Sequence, residues 1–217
     1  MTKQGKKITL LSITLILLAI DQIIKIMVKL NMKIGESFGM FGENSNWAQI
    51  LFIENNGMAF GMQFGGIVGK LCLSIFRLVL IVAIIWFINR LITKNNARWS
   101  ILISLTFVLA GAIGNIIDSA FYGLIFSEST LFTVADVTPF GDGYAPFLCG
   151  KVVDMFYFPI IKTTLPSWFP FWGGEEFEFF RPIFNFADAC VSCSAIYMLF
   201  FERKFFASLT KKKEQEK

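Results

Sequence analysis

Residues 101–122 read ILISLTFVLAGAIGNIIDSAFY. No charged side chain occurs from Ile101 to Ile117, and the stretch matches the ~20 residues that an α-helix needs to cross the hydrocarbon core of a bilayer. Polar groups gather at its far end. Gly111, Asn115 and Asp118 follow at i, i+4 and i+7, which puts them on one helix face. Gly111 and Gly114 would let a neighbouring helix come close, as small residues do in membranes. Ionisable groups at membrane depth are costly and mark functional sites by default.

Three further apolar segments lie about this one, from about Ile8 to Leu30, about Leu71 to Ile92 and about Phe184 to Phe206. The 217 residues are 55% hydrophobic and only 17% charged, with a mean hydropathy of +0.61. A soluble domain carries more charge. The expected fold is an all-α membrane protein, one polytopic domain over residues 1–217 with four transmembrane helices. Lys3, Lys6 and Lys7 precede an apolar run with no small-residue cleavage site after it. This reads as an uncleaved first span rather than a signal peptide.

Positive charge sets the expected topology. Lys3, Lys6 and Lys7, then Arg90, Lys94 and Arg98, then Arg203, Lys204 and Lys211 to Lys213 all fall on one side if both termini are cytoplasmic. The two outer loops, about 31–69 and 123–183, are acidic, with Glu36, Glu43 and Glu54 in the first and Glu128, Asp136, Asp142, Glu175, Glu176 and Glu178 in the second. Lys and Arg collect at segment ends, so the net charge of +4 does not point to nucleic acid. In the first loop Leu51-Phe52-Ile53 ahead of Asn55-Asn56-Gly57 predicts a small β element with a turn. The second is rich in Phe, Trp and Pro, with Trp168, Phe169, Phe171 and Trp172 suited to the bilayer interface.

In this topology the unusual polar residues reach one level, near the outer surface. Asp21 falls in the outer half of the first span, and Asn115 and Asp118 at the outer end of the third. Asn185 and Asp188 open the fourth, and Asp154 lies in the second loop. Blander readings exist for each. Asn185 could be a helix cap, Asn115 and Asp118 interhelical glue, and Asp21 with Lys25 an i, i+4 ion pair. Asp154, between Val152-Val153 and Met155-Phe156, is harder to explain as structure alone. With no histidine in the chain, acid–base chemistry falls to carboxylates, lysines, tyrosines or cysteines. From the residues alone, Asp118 is as eligible for it as Asp154 or Asp188.

These residues stand in five short motifs: Asp21-Gln22-x-x-Lys25, Asn55-x-Gly57-x-Ala59-Phe60, Gly111-x-x-Gly114-Asn115-x-x-Asp118, Gly150-x-Val152-Val153-Asp154 and Phe184-Asn185-x-Ala187-Asp188. In this order they resemble the bacterial lipoprotein signal peptidases, also called signal peptidase II, over nearly the whole chain. The resemblance implies an aspartyl endopeptidase that cleaves prolipoproteins before a cysteine already carrying diacylglycerol. It implies work at the outer, periplasmic face of the bacterial cytoplasmic (inner) membrane, without a cofactor or metal. It maps the catalytic pair to Asp154 and Asp188, and supporting or substrate-binding roles to Asp21, Lys25, Asn55, Gly57, Asn115, Asp118 and Asn185. The expected partners are diacylglyceryl prolipoproteins and membrane lipid, and the enzyme is expected to be a monomer.

Two departures from the family pattern stand out. Ser119 occupies the place of a usual Arg, for which Arg181 or Lys151 are candidate substitutes, and Phe126–Leu148 reads as an insertion. Two other functions fit parts of the chain. A four-helix membrane thiol oxidoreductase would use Cys190 and Cys193, and a proton-coupled transporter would use Asp21, Asp118 and Asp188.

Overall fold

The computed structural model describes residues 2–42, 45–56, 66–94, 98–205 and 207–208. Three helices among them are long and apolar enough to cross a membrane. They are α1 (Lys3–Asn31), α2 (Gly66–Lys94) and α3 (Trp99–Ile117), the last prolonged by a π-helical turn, Asp118–Tyr122, and the short α4, Gly123–Ile125. The fourth predicted span, about Phe184 to Phe206, is shorter than expected. Its helix α5 is Phe186–Phe201, 16 residues, or about 24 Å against a hydrocarbon core of ~30 Å. Ile183 and Phe184 belong instead to a strand, and the helix starts only after Asn185.

The chain forms two compact units. The first comprises Met1–Gln22, Cys72–Ile117 and Phe186–Lys217 and is helical. Its interior includes Leu17, Ala110 and Cys190, with Ile13, Phe107 and Phe186 packed on them. α3 packs against α5 through Gly111: a Cβ there would stand 2.4 Å from the Ala187 carbonyl oxygen, so only glycine permits the approach. Ile75, Phe76, Val79, Val82 and Trp86 of α2 remain exposed, as suits a helix whose solvent is lipid.

The second unit comprises Ile23–Leu71 and Asp118–Asn185. More β structure is present than the sequence predicted. β1 (Ser37–Gly39), β2 (Gln49–Asn55), β3 (Val152–Tyr157) and β6 (Ile183–Phe184) form a four-stranded antiparallel sheet in the order β1-β2-β3-β6. β4 (Ile161–Thr164) and β5 (Glu176–Phe179) form a separate hairpin whose tip exposes Trp168, Phe171 and Trp172. Phe52, Val153 and Met155 of the sheet pack with Val28 of α1, Met32 just after it, Tyr122 and Phe126. Phe126–Leu148 is folded into this unit: Phe126 bridges Val137, and the Ile34 and Tyr144 amides donate to the Thr130 and Phe126 carbonyls.

Candidate active site

Asp154 sits in β3, flanked by β2 and β6, and is 3% exposed. Each of its oxygens receives a side-chain amide. Asn55 Nδ2, at the end of β2, donates to Oδ2 at 3.2 Å, and Asn185 Nδ2, just past β6, donates to Oδ1 at 2.7 Å. The sheet order explains the arrangement, because β2 and β6 are the two neighbours of β3. Asn185 is thereby a donor to a carboxylate, not merely a helix cap.

Asp118 opens the π-helical turn of the same unit and is fully buried. Such turns are frequent at functional sites. Lys25 Nζ lies 2.8 Å from its Oδ2, and the Val153 amide donates to that oxygen at 3.4 Å. Lys25 is thus an ion-pair partner of Asp118. Gly150 makes the turn's approach to β3 possible: a Cβ on it would lie 2.3 Å from the Asp118 carbonyl oxygen. The residues offered in place of the usual Arg are engaged elsewhere. Lys151 pairs with Glu54 and Glu128, and the exposed Arg181 reaches Glu178 at 3.9 Å. Ser119 is buried, and its carbonyl accepts the Gly150 N–H at 2.8 Å.

In the helical unit, Asp188 lies in the first turn of α5 and accepts Asn115 Nδ2 at 2.8 Å. Asp21 is 2% exposed and accepts the Ala187 N–H at 2.9 Å and Gln22 Nε2 at 3.1 Å. It satisfies a free amide at the start of α5, where the helix dipole favours an anion. Gly114 leaves room for it, since a Cβ there would fall 2.6 Å from Asp21 Oδ2. Gly57, with Ala59 and Phe60 of its motif, lies outside the described residues. Cys190 is buried and Cys193 exposed, both as free thiols.

A set of residues that the sequence reading did not assemble lies beside Asn55. Lys29 and Glu54, 0% and 2% exposed, form an ion pair. Lys29 Nζ also contacts Ser129 Oγ at 2.8 Å, and Lys151 Nζ lies 3.3 Å from Glu54 Oε2. Burial works against the Lys151 charge, but the Glu54 and Glu128 carboxylates together outweigh it and hold the ammonium above its ordinary range. Burial pushes the Tyr144 phenol well up as well. One signal was available: Lys29 follows Lys25 by four residues on α1, and therefore shares its face.

Helices long and apolar enough to cross a membrane, with carboxylates held by side-chain amides, mark the candidate site of a membrane protein. A family model described as signal peptidase (SPase) II matches residues 13–203. The chain is 48% identical over 196 residues to a lipoprotein signal peptidase of Porphyromonas gingivalis, covering 90% of this chain and 82% of that one. It is 35% identical over 179 residues to one of Amoebophilus asiaticus, covering 82% and 71%. A solved structure described as a bacterial membrane enzyme shares the fold, with a TM-score of 0.55 and 22% identity over 96% of this chain and 92% of that one. The chain belongs to the signal peptidase II family.

Proposed function

We infer that this enzyme is an aspartyl endopeptidase that removes the signal peptide from diacylglyceryl-modified prolipoproteins, cutting before the lipidated cysteine, with Asp154 and Asp188 as its catalytic pair. Family membership supports the activity. The observation that carries the choice of carboxylates is the character of their donors. Asp154 and Asp188 accept neutral carboxamides from Asn55, Asn185 and Asn115, whereas Asp118 is ion-paired to Lys25. Side-chain amides orient the carboxylates they donate to. The Lys25 ammonium at 2.8 Å makes Asp118 part of a buried ion pair. Asp118 is therefore assigned to structure and the other two to chemistry.

Two carboxylates sharing one proton suffice for peptide hydrolysis. The ionised one accepts a proton from water as the oxygen attacks the scissile carbonyl. The protonated one donates to the carbonyl oxygen and, on collapse, a proton passes to the departing amine. The enzyme sits in the cytoplasmic membrane with both termini inside, α5 completing a fourth crossing, and the site level with the outer face. That depth suits a peptide anchored by diacylglycerol, and the aromatic β4–β5 hairpin suits the interface.

The test is cleavage of a synthetic diacylglyceryl prolipoprotein by the purified enzyme. Asp154→Asn and Asp188→Asn each lower kcat roughly a thousandfold or more with the protein still folded. Near-normal turnover by either variant overturns the pair.

A further inference from the structure

β2 carries a bulge just ahead of Asn55. Ile50 pairs with Phe156 and Ile53 with Asp154, so Leu51 and Phe52 oppose the single residue Met155. A bulge re-aims the side chains that follow it, and a slip of one residue would turn Asn55 to the other face of the sheet. The meeting of Asn55 with Asp154 thus depends on whatever fixes the register beyond the bulge.

Glu54 is the residue placed to do so. It pairs with Val153, immediately precedes Asn55, and is buried. Its Oε1 contacts Lys29 of α1, and its Oε2 lies 3.3 Å from Lys151, the residue before β3. The remaining partners come from the segment 126–148. Ser129 contacts Lys29, and Glu128 contacts Lys151 at 3.1 Å. The Tyr144 hydroxyl accepts the Lys151 N–H at 2.6 Å, and its ring lies within cation–π reach of both ammoniums, 4.9 Å from Lys29 Nζ and 5.3 Å from Lys151 Nζ. Buried ion clusters of this kind add little net stability, since desolvation offsets the attraction. Their best-attested use is to specify register, because charged partners tolerate only one alignment.

We propose that Lys29, Glu54 and Lys151, held by Glu128, Ser129 and Tyr144, are positioning residues that lock the β2–β3 register so that Asn55 meets Asp154. This gives the segment 126–148 a role in the reaction without contact with the reacting atoms. The proposal rests on the reading of Asp154 as catalytic.

The test compares Glu54→Gln with the double variant Lys29→Met/Glu54→Leu, which removes both charges and leaves no buried ion unpaired. Glu54→Gln lowers kcat at least about tenfold with KM within about twofold. The double variant regains the wild-type melting temperature while kcat stays low, and amide hydrogen exchange quickens at residues 53–55 and 152–154. Recovery of kcat together with melting temperature shows a purely structural network and overturns the proposal. So does unchanged exchange in both variants. Hydrogen exchange does not depend on the substrate assigned. Failure of the wild-type enzyme to cleave prolipoprotein would instead overturn the proposed function.

Discussion

Asp118 and Asp154 are both buried aspartates of the same unit, the first against the Lys25 ammonium and the second against the Asn55 and Asn185 carboxamides. Asp118→Asn leaves Lys25 buried without its counter-charge, and an uncompensated buried ion costs about 3–5 kcal/mol. The expected outcome is a large drop in the unfolding midpoint of the purified protein, with the double change Lys25→Met/Asp118→Leu restoring most of it. A midpoint unmoved by Asp118→Asn would contradict the ion pair. The motifs had named Asp21, Asn115, Asp118, Asp154, Asn185 and Asp188, because polar residues in apolar surroundings are conspicuous. Which partner each would take was not legible. Lys25 sits four residues from Asp21 on α1, but its partner Asp118 comes 93 positions later in the chain. Only folding brings these two together.

Among the elements, the helices were legible and the sheet was not. Long apolar runs announce α1, α2 and α3, since period and length both survive in the sequence. β2 and β3 are separated by about a hundred residues, and no local pattern records which strands pair. The last helix was read as starting too early because Phe184 is as apolar as the helix it precedes, although it pairs with Phe156. At this scale Gly150 is a tight joint beside Asp118. A Cβ there would meet the Asp118 carbonyl at 2.3 Å and the Gly123 nitrogen at 2.8 Å, both backbone atoms that cannot swing aside. Gly150→Ala is expected to cost about 1–3 kcal/mol by overpacking and to reduce turnover. Thermal unfolding with a parallel activity assay checks it, and an unchanged midpoint would refute the close approach.

For the molecule as a whole, pH offers a reading of the second unit. Lys151 and Tyr144 both hold their protons more tightly in the folded state, so their contribution is complete below their unfolded values, 10.5 and 10.0. It is lost only as pH rises through the higher folded values. Tyr157, which donates to Glu178, is pushed up to about 12 by burial and that hydrogen bond. Stability attributable to these groups is therefore flat from neutrality to about pH 10 and declines above it. In a spectrophotometric titration, Tyr157→Phe removes a tyrosinate that forms near pH 12. Loss of that signal below pH 10 instead would contradict the Glu178 contact.

The bulge in β2 also governs how this chain can change length over generations. Between Ile50 and Ile53 a side chain can be exchanged for another, yet deleting a single residue would erase the two-against-one alignment with Met155 and reverse every side chain beyond it. The connection from Leu165 to Glu175, at the exposed tip of the hairpin, is free of any such count. Lineages descended from this enzyme should therefore gain and lose residues at the hairpin tip and keep the spacing from Ile50 to Asn55 fixed, even where its letters drift.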